Sequence, residues 1–136
     1  MIDADVVVER TVHLDASPHE VWDALTNAGR LSVWVGGAVE ELEVRPGGRG
    51  IVRRGDGAVR RLIIEALDAE RRLVLRWWPF SDGGGPPPAG SGTRVEFELE
   101  LTQPTGTVLR VREFPPLVGV EPIPRTELSN LRAAVG

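Results

Sequence analysis

Residues 93–102, TRVEFELELT, alternate without a break: Val95, Phe97, Leu99 and Leu101 fall on one side, and Arg94, Glu96, Glu98 and Glu100 on the other. A period of two is that of an antiparallel strand with one packed face and one wet face. Gln103-Pro104-Thr105-Gly106 turns the chain into 107–113, where Leu109 and Val111 continue the apolar side. The same reading predicts strands over 6–14 (VVVERTVHL), 39–45, 50–54, 58–67 and 72–78. The turns between them are Pro46-Gly47-Gly48, Asp56-Gly57 and Asp68-Ala69-Glu70.

One early segment breaks the period. In Ser17-Pro18-His19-Glu20 a serine stands where a helix N-cap accepts a free N–H. Proline follows at the first helical position and Glu20 at the third. A helix from Pro18 to about Thr26 puts Val21, Trp22 and Leu25 on one apolar face, and Asn27 and Gly29 suit its end. Leu31–Val35 reads as a second short helix that Gly36-Gly37 stops. Residues 126–135 read as a last helix with Leu128, Leu131 and Val135 on one side. Residues 81–92, SDGGGPPPAGSG, cannot build a core and read as a flexible inserted loop rather than a domain boundary.

The predicted order is one strand, two short helices, about six strands and a helix, within one domain over 1–136. Strands joined by short turns make an antiparallel sheet, and its apolar face needs a cover. The expected fold is α+β, with the terminal helix on the sheet.

Composition narrows the function more by exclusion than by indication. The chain has no cysteine, so disulfides, thiolate metal sites and a cysteine nucleophile are excluded. Its net charge of −4 argues against nucleic acid as a partner. All 16 basic residues are arginine, which codon usage explains without any functional weight. No segment approaches the roughly 20 apolar residues of a membrane span, and MIDADVVVER lacks the features of a signal peptide, so a cytoplasmic protein is expected. No nucleophile elbow, phosphate loop, dinucleotide fingerprint or zinc-helix motif occurs. His13 and His19 read as surface residues, and Glu40, Glu41 and Glu43 as the wet face of a strand rather than a cation site. No metal or cofactor is expected.

Three stretches carry a family resemblance. SPHEVWDALTNAGRLSVW looks like the opening helices of the START-like (SRPBCC) superfamily, in the branch named for activators of the heat-shock-protein-90 ATPase. RRLVLRWW resembles a strand of that branch that ends in tryptophan, and GTRVEFELELTQPTGTVLRVRE its last two strands. The resemblance implies a helix-grip fold: a curved sheet of seven strands around a C-terminal helix, with a cavity between them. Family members usually have a longer last helix, often preceded by a Gly-Trp pair that is absent here. At about ten residues the helix spans only about 15 Å. It would leave part of the apolar sheet face for a second copy of the chain to cover, making a homodimer.

The cavity so implied would be lined by Trp34, Leu62, Ile64, Leu75, Trp77, Phe97, Leu99, Leu109, Val111, Leu128 and Leu131. Trp77 shares the face of Leu73 and Leu75, so it points inward and Trp78 outward. Arg53 or its neighbour Arg54 is the candidate polar handle, the alternative being an exposed arginine. The expected function is non-catalytic binding of a small hydrophobic or amphipathic molecule. The alternatives are an enzyme of the polyketide aromatase/cyclase kind and a co-chaperone-like interaction module. An enzyme would need an acid or base inside the cavity.

Overall fold

The structure, a computed structural model, describes residues 8–34, 37–54, 59–80, 92–102 and 106–114. The terminal helix expected over 126–135, the Asp56-Gly57 turn and most of the 81–92 loop lie outside them.

Seven strands form one antiparallel sheet in the order β1-β7-β6-β5-β4-β3-β2. They are β1 (Val8–Leu14), β2 (Gly37–Leu42), β3 (Arg49–Arg54), β4 (Val59–Asp68), β5 (Arg72–Phe80), β6 (Thr93–Thr102) and β7 (Gly106–Phe114). From β3 onward each strand pairs with its predecessor, whereas β1 joins the far edge beside β7. The chain therefore crosses the sheet between β1 and β2, and it does so as two helices, α1 (Pro18–Thr26) and α2 (Ala28–Trp34).

Helix α1 begins where the capping pattern puts it: the Glu20 backbone N–H donates to Ser17 Oγ at 3.2 Å. Helix α2 begins three residues earlier than the apolar pattern suggests. Asn27 closes one helix and opens the next. Its N–H donates to the Asp23 carbonyl at 2.8 Å, and its own side chain accepts from the Arg30 N–H at 3.2 Å. Gly29 consequently lies inside α2 rather than ending α1. Ser32 ties α2 to the sheet edge, its Oγ accepting the Val39 N–H at 2.9 Å.

Strand β2 stops at Leu42, short of the expected Arg45, because Glu43 goes into the turn. Its carboxylate accepts from Arg45 at 2.9 Å and from the Arg49 N–H at 3.3 Å. Gly48 fits there because a side chain would collide with the Glu43 carbonyl.

Alternation separates two faces. Leu62, Ile64, Leu73, Leu75, Trp77, Val95, Phe97, Leu109 and Val111 are buried on the inner face, under Val21, Ala24 and Leu25 of α1 and Leu31 of α2. Leu101 keeps the inner parity but is 59% exposed, at the strand end. The outer face carries an arginine–glutamate ladder: Arg76–Glu65 at 3.2 Å, Arg72–Glu96 at 2.9 Å, Arg112–Glu9 at 2.9 Å and Arg110–Glu100 at 3.1 Å. Like charges opposite one another destabilise a sheet, and where Arg76 and Arg94 stand directly opposite, Glu65 lies between them at 3.2 and 3.7 Å.

Candidate functional site

The inner face carries a small apolar cavity of about 20 Å³, room for about one water molecule. The sheet supplies Val52, Leu62, Leu75, Trp77 and Phe97, and the helices supply Leu25 and Leu31. Four predicted residues, Leu62, Leu75, Trp77 and Phe97, thus meet around one space. Ile64, Leu109 and Val111 are buried in the same core without lining it, and Leu99 is half-buried against it. Trp34 ends α2, but its side chain lies outside the described residues, as do Leu128 and Leu131.

Arg53 does not point inward. Val52 takes the inner position, so its neighbour must face out, where Arg53 pairs with Glu40 at 3.1 Å across the β2–β3 ladder. The Glu40 carboxylate raises the Arg53 guanidinium above its usual pKa by hydrogen bonding and charge. With Glu43 held by Arg45, two members of the acidic run have arginine partners. No group of three metal-ligating side chains occurs among the described residues.

Two described arginines take inner-face positions: Arg10, opposite Val111, and Arg60, which pairs in register with Val52 and sets its guanidinium carbon 5.1 Å from the Trp77 ring centroid. The side chain of Arg54, the alternative to Arg53, lies outside the described residues. The reading of the sequence missed Arg60 because β4 was anchored on its apolar residues. Counting back two positions from Leu62 would have placed it.

The same count places two more polar residues. Thr93 shares the parity of Val95 and Phe97 and stands opposite Trp77, and Glu113 shares that of Leu109 and Val111 and stands opposite Val95. Thr93 is fully buried and Glu113 is 1% exposed. Neither Trp77 Nε1 nor Thr93 Oγ1 has a hydrogen-bond partner among the described residues. Gly92 brings Thr93 into place with φ +85°, and a side chain there would lie 2.6 Å from the Trp77 carbonyl oxygen.

A larger depression of about 390 Å³ opens on the outer face between Glu41, Arg49, Ile51, Arg61, Ile63 and Trp78. Its lining includes three charged side chains, whereas the inner cavity is lined by apolar and aromatic ones alone, the make-up that strips water from an apolar molecule.

Sheet order, crossing helices and an apolar inner cavity define a START-like domain of the helix-grip kind. The sequence matches the family described as Activator of Hsp90 ATPase homolog 1-like protein over residues 15–134, and the chain belongs to that family. Comparison with curated proteins gives no match. Among solved structures, a protein from Arthrobacter aurescens is 16% identical with a TM-score of 0.77, the match covering 99% of this chain and 89% of that one. A protein from Mesorhizobium loti is 20% identical with a TM-score of 0.72, covering 96% of each chain. CalU16 from Micromonospora echinospora is 20% identical with a TM-score of 0.66, covering 98% of this chain and 80% of that one. At these identities the likeness shows the fold alone.

Proposed function

We propose that the protein binds one small apolar or amphipathic molecule on the inner face of its sheet, beneath α1, α2 and the helix expected over 126–135, and does no chemistry on it. The observation that carries this is the inner-face cavity, whose lining side chains are all apolar or aromatic. A site of this make-up desolvates an apolar guest and holds it by contact area. The cavity holds about one water, so a guest enters only as the cover lifts from the sheet.

A second reading, turnover of the guest as in aromatase/cyclases, is favoured by Glu113, a buried carboxyl group on the inner face.

Intact-mass measurement under native conditions, on protein purified from its own host, tests the first reading. The expected result is a one-to-one adduct that leaves on denaturation and is recovered unchanged. A chain that carries nothing, and that takes up no apolar probe at millimolar concentration, overturns it. Recovery of a chemically altered guest, in a reaction lost in Glu113→Gln, replaces it with the second reading.

A further inference from the structure

We infer that Trp77 and Thr93 read an uncharged acceptor oxygen on the bound molecule, so the preferred guest is an apolar skeleton carrying a carbonyl or similar oxygen rather than a pure hydrocarbon. The inference rests on the ligand-binding reading above and adds the chemical class of the guest.

The argument starts from two buried polar atoms. Trp77 is 5% exposed and Thr93 fully buried, and neither Trp77 Nε1 nor Thr93 Oγ1 has a partner among the described residues. Leaving a buried donor unsatisfied costs the full desolvation of that group, so such groups are rare in folded proteins. Two of them as directly paired cross-strand neighbours call for a common explanation. Paired residues on one face of a sheet hold their Cβ atoms about 5 Å apart, so one small molecule can span both side chains; Thr93 does not itself line the cavity, and a guest reaches its hydroxyl by extending past Trp77.

The surroundings say which oxygen. Trp77 lines the cavity, so a guest there meets its indole. An indole N–H only donates, and a hydroxyl can donate, so the pair suits an acceptor. Every side chain lining the cavity is uncharged. The Arg60 guanidinium lies over the Trp77 ring, where it is already engaged with the indole face. A carboxylate would have to shed its water in an apolar cavity, at far greater cost than a ketone. A neutral carbonyl meets both donors and keeps the rest of its skeleton in contact with Leu62, Leu75 and Phe97.

The test uses two probes that differ in one group, indane and its ketone 1-indanone, titrated into the ¹⁵N-labelled full chain and followed by NMR. Both should bind, the ketone roughly five- to tenfold more tightly, the range one net hydrogen bond supplies. Only the ketone should move the Trp77 indole N–H resonance downfield. Thr93→Val keeps the side-chain shape and removes a buried hydroxyl without a described partner. It should fold at least as well as the parent and lose most of the ketone preference. Trp77→Phe, if it folds, should lose the rest.

Equal binding of the two probes by the parent, with the indole resonance unmoved, means that water serves the two donors and overturns the inference while leaving apolar binding intact. A ketone preference that survives in Thr93→Val with the indole resonance still unmoved places the acceptor elsewhere and also overturns it. Failure of both probes to bind overturns the ligand-binding reading, and this inference with it.

Discussion

Trp77 and Trp78 are neighbours in the chain and occupy opposite worlds. Trp77 faces in and lines the apolar cavity with Leu62, Leu75 and Phe97. Trp78 faces out, half-buried beside Ile51 and Ile63, above a strip of ion-paired arginines and glutamates. One strand thus gives the same side chain a structural role on one face and a covering role on the other. The inner face is held by apolar contact, which needs shape, and the outer face by charge pairs, which water weakens. The two faces also differ in how they treat buried polar atoms: on the outer face Arg94 Nε is buried but has the Glu65 carboxylate 3.7 Å away, whereas on the inner face Trp77 Nε1 and Thr93 Oγ1 are buried without described hydrogen-bond partners. This asymmetry makes the inner face the place for a guest.

Removing each indole gives the largest expected contrast. Trp77→Ala should lower the unfolding free energy by roughly 3–5 kcal/mol, the usual cost of emptying a buried aromatic site. Trp78→Ala should cost about 1 kcal/mol, since only part of its surface leaves water on folding. Paired urea melts measure both, and equal losses would show that the two faces are not energetically distinct.

Within the outer face, depth should grade the ion pairs. The Glu96 side chain is 8% exposed and lies 2.9 Å from Arg72 and 3.7 Å from Arg94, and its hydrogen bond holds the Arg72 guanidinium above its usual pKa. Glu96→Gln should cost about 1–2 kcal/mol, less than a fully buried pair because both arginines keep contact with water. Glu100→Gln at the exposed Arg110 pair should cost no more than about 0.5 kcal/mol. Thermal melts in low and high salt check the order, and Glu100→Gln matching Glu96→Gln would remove the grading.

The smallest effect concerns acid. Arg45, by hydrogen bond and charge, and the Arg49 N–H hold the Glu43 carboxyl below its ordinary 4.5. A lowered folded pKa means that the ionised form is favoured by folding. Its contribution is therefore present above the ordinary carboxylate range and is lost as pH falls through the folded value. NMR titration below pH 4.5 should show the Arg49 N–H shifting with Glu43, before the inner-face methyl resonances change. Simultaneous change would mean that the turn and the inner face respond as one.

How much of this was legible in the chain can be judged at particular residues. The alternation of 93–102 and the capping serine of α1 fixed β6 and α1 to the residue, because both signals are local: a two-residue period and a side chain within reach of its own backbone. The facing of Trp77 follows from Leu73 and Leu75, whereas a cavity beside it is expected only through the family resemblance. Parity would equally have placed Arg60, Thr93 and Glu113 on the inner face, but apolar side chains were sought there and polar ones were not. Three things were decided only in three dimensions. Asn27 opens α2 because its side chain meets the Arg30 N–H, and a residue that caps two helices at once reads in sequence as the end of one. Arg53 faces out because the β2–β3 register gives Val52 the inner position, and register depends on which strand is the neighbour. The cavity itself closes only when Leu25 and Leu31 come over the sheet, which requires the helical crossing between β1 and β2 that joins its two edges. Sequence determines which way a side chain can point along its own element, and the packing of elements distant in the chain determines what it meets there.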